Sequence, residues 1–164
     1  MHGDTLQCHG HYQGEVYDKD GNLKGTFEGD NLVTTEGKNY LEEAGLRAQT
    51  VVAQWYMGLV DITSYSTIAA ADVLASHAGW NEFTGYSGSR PTWTPIAASN
   101  GVSANSTSVN FTITASTGTV KGGFIASVAS GTSGKLFSVG LWTTGDVPVI
   151  VGDVLKITYT LTLS

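Results

Sequence analysis

Charge is what this sequence has least of. Asp, Glu, Lys and Arg make up 13% of its 164 residues, about half the usual share of a soluble domain, and Gly, Ser, Thr and Asn stand in their place. The shortage is uneven: residues 1–50 carry 13 of the 22 charged side chains, and residues 51–164 carry nine, five acidic and four basic. An isolated globular protein relies on surface charge for solubility, and the centres of interfaces are depleted in Lys, Glu and Asp. Such a surface therefore suits lasting contact with neighbours. The plainer alternative is that Ser and Thr simply suit exposed strand positions.

Other shortages narrow the function. Lys and Arg never cluster, and the formal net charge is -6 with a pI near 5.0, which argues against direct binding to a nucleic-acid backbone. Cys8 is the sole cysteine, so no intrachain disulfide can form. No run approaches the ~20 apolar residues of a spanning helix, and Met1-His2-Gly3-Asp4-Thr5-Leu6-Gln7 has no apolar stretch of the signal-peptide kind. The expectation is a protein made in a cytosol. What is present is 41% hydrophobic residues, enough for one domain to fold on apolar burial alone.

Residues 12–28 read as a hairpin around Asp18-Lys19-Asp20-Gly21-Asn22, with glycine where positive φ is needed. Asn31-Leu32-Val33 leads to Thr34-Thr35, whose hydroxyls can cap a helix over 35–47 with Tyr40, Leu41, Ala44 and Leu46 on one side. Ala53, Trp55, Met57 and Leu59 then alternate as a buried strand within 51–60. Residues 61–79 are irregular, with two helical turns expected over 69–77. Every later element reads as a strand: 82–86, 92–97, 108–114, 119–128, 135–143, 148–151 and 154–163. In the last, Leu155, Ile157, Tyr159, Leu161 and Leu163 point one way. Eight to ten strands with too few helices for parallel crossovers predict an all-β, antiparallel β-sandwich, jelly-roll-like, with one or two short helices. Residues 1–11 are expected as an N-terminal arm and 12–164 as a single sandwich domain.

No constellation points to catalysis. Cys8-His9-Gly10-His11, with His2 nearby, offers too few ligands at reliable spacing for a zinc site. Asp18-Lys19-Asp20-Gly21-Asn22 lacks the spaced oxygens and the distal Glu of a calcium loop. Ser76 and His77 with Asp72 form a conceivable triad, but no Gly-x-Ser-x-Gly elbow supports it. The glycines of 118–123 lack the Lys-Ser/Thr pair of a phosphate loop. Asn105-Ser106-Thr107 and Asn110-Phe111-Thr112 match the glycosylation pattern without a route to the modifying enzymes. A cell-wall hydrolase would require paired carboxylates in one cleft, for which Glu82 and Asp72 are the only candidates in the charge-poor part. Trp55, Tyr56, Trp80, Phe83, Tyr86 and Trp93 form either core or interface, or else a sugar-stacking platform. No cofactor, metal or catalytic residue is assigned.

The segments Asn31-Leu32-Val33-Thr34-Thr35-Glu36-Gly37-Lys38-Asn39, Trp55-Tyr56-Met57-Gly58-Leu59 and Gly152-Asp153-Val154-Leu155-Lys156-Ile157 are joined by the most specific piece, Ala69-Ala70-Ala71-Asp72 running to His77-Ala78-Gly79-Trp80. Together they resemble a family of small virion structural proteins of tailed bacteriophages, of the capsid cement or decoration type. The resemblance covers most of the chain. It implies a part of the particle on the capsid surface, made in the host cytoplasm, with the major capsid protein and copies of itself as partners, a dimer being the simplest self-association. It carries no catalytic residues to transfer. Trp80, Trp93, Tyr86, Arg90, His9 and His11 are the candidate interface residues on this reading. The competing expectation is a tail-fibre or appendage module that binds a host-surface glycan.

Overall fold

A computed structural model describes residues 7–164. The chain forms β1 (Cys8–Tyr17), β2 (Leu23–Val33), α1 (Thr35–Leu46), β3 (Trp55–Asp61), β4 (Asn81–Phe83), β5 (Thr92–Trp93), β6 (Val102–Ala104), β7 (Val109–Thr112), β8 (Gly118–Ala126), β9 (Leu136–Leu141), β10 (Val147–Val149) and β11 (Val154–Leu163). Every strand pair is antiparallel, as the all-β expectation requires. The strands are not two separate sheets. They follow one hydrogen-bonded path, β4-β3-β8-β9-β2-β1-β11-β6, with β5, β7 and β10 attached beside it.

That path folds over because β2 changes partner part-way. Its residues up to Asp30 pair with β1, and Asn31 to Val33 pair with β9. The corner depends on glycine: a Cβ on Gly29 would collide with the Leu141 carbonyl, and one on Gly140 with the backbone of Asp30 and Asn31. The two halves then face each other across a core in which Tyr12 of β1 lies 4.6 Å from Tyr159 of β11 and 5.6 Å from Trp142, while Trp93 of β5 meets Tyr159 edge-on at 5.3 Å. Met57 and Leu59 on β3, Ile125 on β8, and Leu155 and Ile157 on β11 fill the rest. The sandwich-like packing comes from one sheet curling onto itself.

The expected N-terminal arm is replaced by strand from Cys8 onward. Cys8 pairs with Leu163 and His9 with Thr162, because the period-two alternation runs back through Gly10 and Cys8 inward and His11 and His9 outward. The earlier part of the arm lies outside the described residues. The expected helix at 69–77 is also absent. Those residues form turns closed by a Val73–Ser76 bridge, and segment 62–80 lies over the outer side of β3, β8 and β9. There Leu74 and Trp80 are buried with Val60, Phe124, Leu136 and Val139, and Tyr65 and Ile68 pack against them. A helix would have presented one stripe; an irregular cover can drop Leu74 and Trp80 into separate gaps.

Helix α1 starts where expected, since the Thr34 hydroxyl accepts the Gly37 N–H at 2.9 Å. The same hydroxyl donates to the Leu136 carbonyl at 2.5 Å, and Glu36 accepts from the Leu136 N–H at 2.8 Å, so the cap also ties the helix to β9.

Candidate functional site

The nine charged side chains after residue 50 are all engaged within the domain. Glu82 on β4 accepts two bonds from Arg90, at 2.9 and 2.7 Å, and a third from the Tyr86 hydroxyl at 3.0 Å. Arg90 also donates to the Val128 carbonyl and lies over the Phe124 ring. Asp153, fully buried, binds Lys24 at 2.5 Å and accepts the Ile150 N–H at 2.9 Å. Lys121 meets Asp146 at 3.0 Å, and Lys135 stands 3.9 Å from Glu36. Asp72 accepts from the Ala69 N–H and the Trp80 indole, Asp61 accepts from the Thr63 N–H, and Lys156 sits over Tyr17. These charges fasten loops to strands, so they contribute little free charge to the surface of this part of the chain.

What remains outward is a face with almost no charge. Residues 91–120 contain no Asp, Glu, Lys or Arg at all. Within them residues 94–106 make a hairpin whose arms are joined by Ile96 N–H to the Ala104 carbonyl at 2.8 Å and by a reciprocal Ser99–Val102 pair. Its turn is Asn100-Gly101, with φ of 50° and 77°, the two positive values a type I′ turn requires. Ile96 is 53% exposed and Val102 39%. Through β6 the hairpin joins β11, placing Val102 beside Thr162 and Ala104 beside Thr160; one strand further, Thr162 faces His9 and Thr160 faces His11. Direct antiparallel partners share a sheet face, so Val102, Ala104, Thr160, Thr162, His9 and His11 form one outward surface. Toward β2 the surface becomes acidic, where His11 binds Asp30 at 2.8 Å.

No protein-family model and no curated protein matches the chain.

Asn105 holds the hairpin to the sheet. Strands β6 and β7 pair with the same edge of β11 but leave a gap between them. The Asn105 side chain fills it: its oxygen accepts the Tyr159 N–H at 2.6 Å and the Trp93 indole N–H at 3.3 Å, and its nitrogen donates to the carbonyls of Ile157 at 3.1 Å and Thr107 at 2.7 Å. One side chain thereby stands in for a missing strand amide. With that amide fully engaged, the first glycosylation-pattern match is a structural residue.

Four of the six interface candidates lie inside. Trp80 is 1% exposed, Tyr86 6%, Trp93 5% and Arg90 5%. Large rings carry the most apolar area and are drawn to the core of a β fold, and Arg90 follows because Glu82 and the Val128 carbonyl satisfy its donors. Burial of Trp80 and Trp93 also removes the rings that a sugar platform would have used. His9 and His11 do reach the outer face of β1, His9 beside Thr162 and His11 against Asp30.

The surface residues that sequence reasoning missed are Ile96 and Val102, since β6 spans only three residues and Ala97-Ala98 breaks any alternation. Two signals were available, the Asn-Gly turn pair and the charge-free run of residues 91–120.

The conceivable catalytic groups are occupied elsewhere. His77 stacks on Trp80 at 3.8 Å and its Nδ1 lies 3.0 Å from the Trp80 carbonyl, while Asp72 turns to the indole rather than to His77. Glu82 and Asp72 are each bound to separate internal partners. Among the described residues no three His, Cys, Asp or Glu side chains stand together as metal ligands. The Asp18 carboxylate, in the segment read from sequence as a hairpin turn, accepts the N–H groups of Asp20 and Asn22, at 2.9 and 2.8 Å. The Asn22 hydrogen bonds hold its pKa below the usual carboxylate value.

Proposed function

We propose that this chain is a virion structural protein, a capsid cement or decoration subunit that stabilises the head shell by contact with the major capsid protein and with copies of itself. The observation that carries the reading is the 94–106 hairpin, which lies in a run of residues without a single charge and leaves Ile96 and Val102 exposed, while the nine late charges are paired elsewhere within the domain. Docking such a face strips water from hydroxyls and methyl groups rather than from ions, so it avoids the desolvation cost of charged pairs. Each contact can be modest, because many copies on one lattice act together. The word virion comes from the resemblance; the geometry supports a binding face.

The test has two arms. Imaging intact particles should locate this chain on the shell in many copies; a handful of copies on an appendage would overturn the reading. Purified protein carrying Ile96→Asp and Val102→Asp together should keep its melting temperature to within a few degrees, since both side chains are exposed, yet lose binding to stripped particles by at least tenfold, about 1.4 kcal/mol. Unchanged binding would place the contact elsewhere.

A further inference from the structure

We infer that Asn100 is a site of spontaneous deamidation, by which the uncharged hairpin acquires a carboxylate as the protein ages. The seven asparagines include one that is followed by glycine, Asn100. With no side chain on Gly101, its backbone nitrogen is the least hindered nucleophile that can approach the preceding side-chain carbonyl. In the hairpin tip both reacting groups are exposed, and among the described residues neither the Asn100 side chain nor the Gly101 N–H makes a hydrogen bond. The neighbouring turn bonds run between Ser99 and Val102 and leave both groups free.

The reaction needs only water. The Gly101 nitrogen attacks Cγ of Asn100, a C–N bond forms as the bond to the side-chain nitrogen breaks, and the displaced nitrogen leaves as ammonia with the proton from Gly101. Water then opens the five-membered imide at either carbonyl, giving aspartate or isoaspartate. Each outcome replaces a neutral amide with a carboxylate.

The rest of the chain supplies internal controls. Asp20-Gly21 has the same backbone, but the Gly21 N–H is bound to the Asp18 carbonyl at 3.0 Å and a carboxylate is a poor electrophile. Asn22, Asn31, Asn81, Asn105 and Asn110 each have their side chains in hydrogen bonds, and they and Asn39 all precede residues with bulkier side chains than glycine. The hairpin also cannot dispense with Gly101. Its φ is +77°, and a Cβ there would collide with the Leu163 carbonyl. A reactive pair is therefore retained because the fold requires its second member. The Gly101 carbonyl accepts the Leu163 N–H at 2.8 Å, so the extra backbone carbon of isoaspartate would loosen the hairpin from the end of β11. The chemistry stands apart from the proposed function; only its effect on docking rests on that reading.

The test is to hold the purified full chain in mildly alkaline buffer at physiological temperature, and to follow it by ion exchange, ammonia release and peptide mapping with isoaspartate labelling. An acidic form one charge more negative than the starting -6 should accumulate, and mapping should place the change at Asn100 ahead of the six other asparagines. Asn100→Gly, which tolerates the positive φ, should abolish the acidic form, and Asn100→Asp should show it without ageing. Mapping of the unsubstituted protein settles the site even if a variant folds poorly. Conversion of another asparagine first, or an Asn100 amide that persists as long as the others, would overturn the inference. A second comparison separates it from the functional reading: Asn100→Asp with unchanged particle binding would count against the docking face and leave the chemistry intact.

Discussion

Asn105 shows how one polar side chain can set the fate of a whole hairpin. It gives two acceptor and two donor contacts to Tyr159, Trp93, Ile157 and Thr107, and without it the Tyr159 N–H and Ile157 carbonyl lose their partner between β6 and β7. Leaving buried backbone groups unpaired costs about 1–3 kcal/mol each. Asn105→Ala should therefore lower stability by about 2–4 kcal/mol in urea unfolding, on the same principle of unsatisfied groups. Asn105→Asp, which keeps the accepting oxygen but can donate to neither the Ile157 nor the Thr107 carbonyl, should also destabilise. A loss under about 0.5 kcal/mol for Asn105→Ala would mean that water replaces the amide at no net cost. None of this was legible in the sequence, where Asn105 stood out only as part of a glycosylation pattern.

At the scale of elements, the Thr34 cap was legible because its physics is local. A hydroxyl one residue before a helix can satisfy an unpaired N–H whatever the surrounding fold does. Its second bond, to the Leu136 carbonyl, depends on a residue about a hundred positions away and was not legible. Thr34→Ala should cost more than an ordinary cap, about 2 kcal/mol or above because a buried carbonyl loses a donor as well, and Thr34→Ser should restore most of it. Thermal or urea unfolding of the two variants checks this; equal losses would assign the effect to the Thr methyl group instead. The same contrast explains the misread 69–77 segment. Its alanines favour helix locally, but Leu74 and Trp80 gain more by filling the outer side of β3, β8 and β9 than a helical stripe allows.

At the scale of the whole molecule, the core ties stability to pH through its tyrosines. Burial raises the pKa of Tyr12 and Tyr159 above the ordinary 10.0, and burial with the adjacent Glu82 does the same for Tyr86. Their folded-state pKa lies above the unfolded one, so the stabilisation they give is complete below about pH 10 and is lost as pH rises past it. Alkaline titration should show the phenolate absorbance of these three appearing together with loss of near-ultraviolet circular dichroism, in one cooperative step. Gradual ionisation with the fold intact would show that the core admits hydroxide or water to these rings.

The sequence by itself determined the antiparallel all-β class, the first hairpin and its turn, the capped helix, and the inward face of β11, because alternation, turn chemistry and capping act over a few residues. It also determined the shortage of charge, though not where the charges point. Only the tertiary structure decided that the strands form one folded-over sheet, that Trp80, Tyr86, Trp93 and Arg90 are interior, and that the nine late charges find partners within the domain while Ile96 and Val102 stay exposed. Those outcomes depend on which distant segments meet: Lys24 with Asp153, Thr34 with Leu136, Asn105 with Tyr159. Spacing along a chain holds no record of such pairings until burial makes an unpaired group costly enough to select among them.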